Sequence, residues 1–455
     1  MLTYAAAVAA LTDRGRFGIR LGLGRTRALL RELGNPEQAF RGALVAGTNG
    51  KGSVLALVSS ALRAAGYRAG ETPKPHLVSY RERLQIGGRP IDGRTFAALV
   101  EAVLPLADRV SRRLGEPTEF ELLTAMIYRW FADSAVDLAV VEVGLGGRLD
   151  ATHAWDGGVA VVTNVDLDHM DRLGATIPLI AREKAAIIVR GDLAVTGATN
   201  EALPVIRRRA RRLGVPLTEV RAGPLVGVDR DGIVVQLPRL GRTRVGLRGR
   251  HQAANVAVAE ATLDALAEAG IATVPDDARR AGYEAATWPG RLELVTVDGR
   301  DVLLDGAHNP AGAAALGEAL DDLRAFLRGR DGEADPTAPL TLVVATMADK
   351  DVDGIADAVL GSTALAGARV ICTALDLERA LPAHALAARW QAAAARRGLA
   401  TDVTAVEDPD AALARALDTA PGPVVVAGSL YLVGHVRARL VHDPLLEDPE
   451  EPQLR

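Results

Sequence analysis

Through the first half of the chain, short apolar runs of strand length alternate with stretches of helical spacing. Residues 43–46 are apolar and run into glycine, and residues 53–65 then carry helical periodicity closed by Gly66. Residues 138–143 and 159–162 are β-branched runs, residues 182–189 end a helix, and residues 193–195 make another strand. Strands alternating with helices imply a parallel sheet covered on its faces, because each crossover lays a helix across it. Residues 220–247 break this rhythm. There Val226-Gly227-Val228, a turn at 229–232 and Ile233-Val234-Val235 predict a small antiparallel insertion. A long Ala-rich helix follows over residues 252–269, closed by Gly270.

Trp288-Pro289-Gly290 is a cluster of breakers, and the alternation restarts beyond it. Strands are predicted at 302–304, 340–344, 370–371 and 424–426. Helices begin at Ala311 and Ala383, span 353–360 and close the chain. The polar stretch 329–339 predicts a solvated loop, and the acidic tail from Glu447 a frayed end. Two α/β domains in series are expected, residues 1–290 and 291–455.

Size agrees, since 455 residues exceed one ordinary core and 49% of them are apolar. The formal charge of −4 and the scattered Lys and Arg argue against a nucleic-acid surface, as do the scarce aromatics. Residues 5–11 predict an amphipathic helix rather than a signal peptide. No run reaches the roughly 18 apolar residues of a spanning helix, so a cytoplasmic protein without membrane partners is expected. The single cysteine, Cys372, lies in an apolar run and is expected to be a small core residue.

Candidate chemistry centres on Gly47-Thr48-Asn49-Gly50-Lys51-Gly52-Ser53, between a predicted strand and helix. Small residues let backbone N–H groups turn inward, the helix N-terminus adds positive potential, and Lys51 can meet phosphate oxygens. The spacing is not that of a regular P-loop: its first glycine would fall at Val45, and Gly52 separates the lysine from the Ser53 hydroxyl. By pattern alone, kinases, GTPases and ligases stay open.

The string GTNGKGS is followed by Glu142-Val143-Gly144-Leu145-Gly146-Gly147-Arg148-Leu149-Asp150-Ala151-Thr152, Leu167-Asp168-His169 and Ala181-Arg182-Glu183-Lys184-Ala185. Gly249-Arg250-His251-Gln252, Trp288-Pro289-Gly290-Arg291-Leu292-Glu293, Asp305-Gly306-Ala307-His308-Asn309-Pro310 and Gly428-Ser429-Leu430-Tyr431 complete the series. In this order it resembles the folylpolyglutamate synthase/dihydrofolate synthase family of the Mur ligase superfamily. The resemblance implies an N-terminal P-loop nucleotide-binding domain with a small antiparallel insertion and a C-terminal Rossmann-like domain. It implies a ligase in which a pteroate or folate carboxylate attacks ATP and the acyl phosphate is taken by L-glutamate. ATP would lie on residues 47–53, Gln252, Asn255, Arg291 and Asp305. Two Mg²⁺ would be held by Ser53, Glu142, His169 and Lys184 as a carbamate, with a monovalent cation such as K⁺ beside them. Lys51, Lys184 and His308 would be catalytic; Phe120 and Asp150 would meet the folate; His308 and Ser429 would meet glutamate. A monomer acting on small molecules is implied.

Two positions depart from the family pattern. Lys74 stands before Pro75-His76-Leu77 where serine is usual, and an ammonium cannot coordinate Mg²⁺; its charge is expected on phosphate, or the metal position is left to water. His153 follows Asp150-Ala151-Thr152 where asparagine is usual. Another Mur-type ligase acting on a UDP-linked muropeptide is the nearest rival, opposed by the Lys51-Gly52-Ser53 spacing and the Trp288-Pro289-Gly290-Arg291 string. A P-loop kinase or GTPase is the rival from another class. A catalytically dead binding protein is disfavoured by the presence of Lys51, Glu142, His169 and Lys184. Whether one or both glutamate-adding activities are present, and the chain length of the product, are not legible.

Overall fold

The computed structural model describes residues 2–15 and 20–445, so the tail from Glu447 lies outside the described residues. Two compact units divide the chain. The first comprises Met1–Gly223, Ala254–Ala286 and Leu445–Arg455, and the second Pro224–Ala253 and Thr287–Pro444.

The first unit is built on one sheet of eight strands. In chain order these are β1 (Gly42–Ala46), β2 (Ala69–Thr72), β3 (Gln85–Ile86), β4 (Arg89–Pro90), β5 (Leu138–Glu142), β6 (Gly158–Val162), β7 (Leu193–Thr196) and β8 (Leu217–Glu219). Their order across the sheet is β4-β3-β2-β5-β1-β6-β7-β8. All pairings from β2 to β8 are parallel, and only the short β3 and β4 pair antiparallel at one edge. Every residue of β1 and β5 is buried, which is why both read as unbroken apolar runs rather than alternating ones. The exception is Glu142 at the last position of β5, opposite Val45 of β1. The central strand β1 therefore ends between the ends of β5 and β6. In parallel sheets that carboxyl edge is where ligands bind.

An aromatic cluster holds the next part of the site. Phe40, just ahead of β1, packs on Tyr128, Phe131 and Trp155 with ring centroids 5.9, 5.7 and 5.5 Å apart. That packing ties the helix Glu119–Asp133 to the sheet. The helix starts at Thr118, whose hydroxyl accepts from the Glu121 N–H while the Glu121 carboxylate accepts from the Thr118 N–H. The cap fixes where the helix begins, and with it the position of Phe120.

The second unit carries two sheets. Strands β9 (Leu225–Asp229), β10 (Gly232–Leu237) and β11 (Gly241–Val245) form an antiparallel meander, as the turn residues between them predict. In the sequence-based division these strands fall within residues 1–290, yet they pack with the second unit. The fully buried Asp301 explains this, because its Oδ1 accepts from Arg230 Nη2 at 2.7 Å. The larger sheet holds β12 (Glu293–Val297), β13 (Arg300–Leu304), β14 (Thr341–Val344), β15 (Arg369–Cys372), β16 (Asp402–Ala405) and β17 (Val424–Ala427), in the order β12-β13-β17-β14-β15-β16. Only β12 runs antiparallel to its neighbour. Cys372 is buried in β15, and burial pushes its thiol up to about 12.

Candidate active site

The glycine loop leaves β1 at Ala46 and enters the helix Lys51–Ala64. Gly50 caps that helix in the left-handed region at φ 80°, and a Cβ there would stand 2.3 Å from Asn255 Oδ1. Backbone shape and close approach both demand glycine at this point. Lys51 folds back over the loop: its Nζ donates to the Gly47 and Thr48 carbonyls at 3.1 Å each and lies 3.9 Å from Glu142 Oε1. The loop is also braced from β6. Thr48 N–H donates to the Asn164 carbonyl (3.0 Å), Asn49 N–H to Asn164 Oδ1 (2.8 Å), and Thr163 Oγ1 to the Asn49 carbonyl (2.7 Å). Asp166 N–H donates to Thr48 Oγ1 at 3.0 Å. The sequence reading missed these supports. Their signal was the polar string Thr163-Asn164-Val165-Asp166 directly after an apolar strand.

Beside the loop, Glu142 is buried, with a donor on one carboxylate oxygen and an ammonium near the other. The Lys74 N–H donates to its Oε2 at 3.1 Å, while Oε1 faces Lys51. The Lys74 ammonium reaches back to the Glu142 carbonyl (2.5 Å) and the Thr72 hydroxyl (3.4 Å), and lies 5.2 Å from the centre of the Phe120 ring. Burial lowers this ammonium to about 8, against the raising influence of Asp150 and Glu142. Phe120 and Asp150 meet at Gly144, where a Cβ would stand 2.7 Å from Phe120 Cζ and 3.1 Å from Asp150 Oδ2. Asp150 is engaged by the backbone: Oδ2 accepts from Leu145 N–H (2.8 Å) and Oδ1 from Thr152 N–H (3.0 Å). His153, the second departure, lies on the turn Ala151–Ala154 with Nδ1 3.3 Å from the Arg148 carbonyl.

On the other side of the loop, Lys184 is buried at the end of the helix Ile177–Ala185, and its Nζ donates to the Gly47 carbonyl at 2.7 Å. Burial, then the charge of Lys51, lowers this amine to about 7. His169 follows β6 at φ 48° and is 43% exposed, with Nε2 3.8 Å from Asp168 Oδ2. Sequence reasoning also missed a group beyond Lys74. There Arg83 Nε donates to His76 Nδ1 at 2.8 Å, and the His76 ring packs on Tyr80 at 4.4 Å.

The donor set suits a nucleotide-carried Mg²⁺. Such an ion takes oxygen ligands, keeps waters, and is held by one or two carboxylates together with substrate phosphates. The Glu142 carboxylate at the strand end and the Ser53 hydroxyl in the helix's first turn meet that description. Among the described residues no three His, Cys, Asp or Glu side chains gather into a cage of their own.

The remaining candidates belong to the second unit, except Asn255, which belongs to the first. Gln252 opens the helix Gln252–Glu268, is buried, and has Nε2 3.1 Å from His251 Nε2, while Asn255 one turn on meets Gly50. Asp305 follows β13; its two oxygens accept from the Leu292 and Ala307 N–H groups at 2.9 Å each, and burial raises its pKa. A Cβ on Gly306 would stand 2.6 Å from Arg291 Nη1 and 2.2 Å from Leu430 Cδ2, so Arg291 and the start of the helix Leu430–Leu440 converge there. His308 Nδ1 donates to the Gly306 carbonyl at 2.7 Å, which fixes the ring. Ser429 caps the helix Leu430–Leu440 by accepting from Tyr431 N–H at 3.2 Å.

Comparison with known proteins bears on both units. The model of the Mur ligase middle domain matches residues 45–263, and that of the dihydrofolate synthetase C-terminal domain matches residues 291–440. The Mycobacterium tuberculosis protein named dihydrofolate synthase/folylpolyglutamate synthase is 36% identical over 465 residues, covering 93% of this chain and 90% of that protein. The chain belongs to the folylpolyglutamate synthase/dihydrofolate synthase family. Among solved structures of this family, M. tuberculosis folylpolyglutamate synthase complexed with ADP superposes with a TM-score of 0.85 at 32% identity, covering 97% of this chain and 100% of that one. The bifunctional Yersinia pestis enzyme complexed with AMPPNP and Mn ion gives 0.79 at 28% identity, covering 97% and 98%. Family membership decides between the ligase and kinase readings that the glycine loop left open.

Proposed function

We propose that this chain is an ATP-dependent ligase that activates a pteroate or folate carboxylate as an acyl phosphate and joins it to L-glutamate. The observation that carries the reading is the meeting of Lys51, Glu142 and Lys184 around one glycine loop at the carboxyl edge of a parallel sheet. In the first step a carboxylate oxygen attacks the γ-phosphorus of ATP and ADP leaves. In the second, the amino group of glutamate attacks the acyl carbon, loses a proton, and expels phosphate. Both steps bring anions together, so fixed cations and N–H donors must take up developing charge.

Residues 47–53 cradle the phosphates, with Lys51 as the catalytic cation over them. Asn255 and Gln252 lie toward the base, and Arg291 and Asp305 meet ATP from residues 291–455, the glutamate-adding domain. Phe120 and Asp150 meet the folate, with Phe120 stacked against the pterin; His308 and Ser429 receive glutamate, and His308 and Lys184 join Lys51 as catalytic residues. Two Mg²⁺ held by Ser53, Glu142, His169 and a carbamate on Lys184 would neutralise the phosphate oxygens; the Mn ion in the Y. pestis complex supports a divalent ion there, and K⁺ is proposed beside them. The enzyme acts as a cytoplasmic monomer on small molecules.

Phosphate release from ATP tests the reading: it should require both the folate-type acid and glutamate, and release indifferent to glutamate would sink it. The name of the M. tuberculosis relative covers both glutamate-adding activities. Bifunctionality follows as a second proposal, read by comparing dihydropteroate with tetrahydrofolate as acceptor.

A further inference from the structure

The helix Gln252–Glu268 is rich in alanine, so it offers its neighbours a smooth surface with few ridges to fix its rotation. Its first turn nevertheless carries Asn255, whose Oδ1 would stand 2.3 Å from a Cβ on Gly50, so the glycine loop tolerates little movement there. A rotation of about 10° swings a side-chain tip about 6 Å from a helix axis through about 1 Å. A polar network grips this helix farther along. Glu260 and Asp264 lie four positions apart and share a face. Arg279, on the helix Asp276–Ala285, reaches both: Nη1 stands 2.9 Å from Glu260 Oε1 and Nη2 2.8 Å from Asp264 Oδ1. Its Nε donates to the Val274 carbonyl at 3.0 Å, and the Tyr283 hydroxyl donates to Glu260 Oε2 at 2.7 Å. Arg279, Tyr283 and Glu260 are buried, while the Asp264 side chain is half exposed. One turn beyond Arg279, Gly282 seats its helix on Lys51–Ala64, where a Cβ would stand 2.4 Å from Ala61 Cα. The network therefore joins the helix that Lys51 opens to the helix that carries Asn255. Stability alone does not call for charges at such a place, because well-packed apolar side chains of similar volume often do as well or better.

We propose that Arg279 is a positioning residue for the nucleotide site: clamped on Glu260 and Asp264, it fixes the rotation of the helix Gln252–Glu268 and so keeps Asn255 from pressing on the glycine loop. The inference rests on the ligase reading above only for that loop as the phosphate cradle. Arg279 acts there through Asn255 and Gly50, so its influence on nucleotide binding has to pass through the Asn255 side chain.

The test combines ADP calorimetry with urea unfolding on the full chain. The triple change Glu260→Leu, Arg279→Met and Tyr283→Phe exchanges the network for apolar side chains. The urea midpoint should hold or rise while ADP affinity falls about tenfold, a split that a merely structural network would not give. In an Asn255→Ala chain the same triple change should cost less than about twofold, because the side chain that transmits the rotation is gone. Wild-type ADP affinity in the folded triple variant would overturn the proposal, as would a loss undiminished by Asn255→Ala. Should the triple variant not fold, Tyr283→Phe removes one hydrogen bond alone. A loss of about twofold that vanishes in the Asn255→Ala chain would support the clamp, and no loss would overturn it. Failure of the ligase reading would show elsewhere, as phosphate release that ignores the acid or glutamate, and would leave these affinities intact.

Discussion

Gly50 and Asn255 are a residue pair in the glycine loop's surroundings that a single added atom would disturb. Gly50→Ala adds a Cβ at φ 80°, 2.3 Å from Asn255 Oδ1, so both backbone strain and a clash oppose the native loop. ADP affinity by calorimetry should fall about tenfold or more. Asn255→Ala in the same chain should restore part of the loss, because it removes the clash and leaves the strain. Full restoration would mean that the left-handed backbone is immaterial. Lys184 supports a second expectation. Its buried amine, lowered to about 7, has the neutral character that addition to CO₂ requires. ¹³C-bicarbonate should therefore give a carbamate carbon resonance in the wild type that is missing in Lys184→Ala, and a missing wild-type signal would refute the carbamate.

At the scale of elements, Glu71 ties strand β2 to the β3–β4 hairpin, accepting from Gly88 N–H at 2.9 Å while almost fully buried. Burial raises its pKa from 4.5 to about 7, opposed by Arg63 and by that hydrogen bond. The folded state thus keeps the proton longer than the unfolded state. Its stabilising share is complete below 4.5 and disappears as pH rises through about 7. Glu71→Gln, which never ionises, should match the wild type near pH 4 and exceed it by about 2–3 kcal/mol above pH 8 in urea unfolding. Equal stability at both pH values would place the raised carboxyl elsewhere.

The same sheet shows what a sequence discloses. Strands β1, β5 and β6 were legible because burial on both faces demands unbroken apolar runs. The two-residue β3 and β4 were not, since their pairing is set by a turn and not by any run of their own. The exposed or half-buried β16 carried no apolar run either. Among the candidate residues, Lys51, Glu142 and Lys184 were singled out by motifs, and the structure groups them about the glycine loop. The bracing by Thr163, Asn164 and Asp166 was not, because those contacts join segments more than 110 positions apart. Nor could periodicity assign the β9–β11 meander to a unit, since a buried ion pair with Asp301 decides that.

For the molecule as a whole, the formal charge is −4, and among the described residues no helix is long and apolar enough to cross a membrane. The monomer reading makes a direct statement about mass: sedimentation equilibrium should return one species of 47.7 kDa, independent of protein concentration and of ADP. A mass that doubles with concentration would replace that reading with a dimer.

The buried Cys372 has a practical consequence. A thiol pushed up to about 12 holds almost no thiolate at neutral pH, and the surrounding β15 core bars reagents from it. Because it is the only cysteine of the chain, the wild type is in effect blank to maleimide and to mild oxidants. Any cysteine placed on an exposed helix then becomes a uniquely addressable point, without first stripping the native one from the core. Two such points, one in each unit, would make a fluorescent ruler between them.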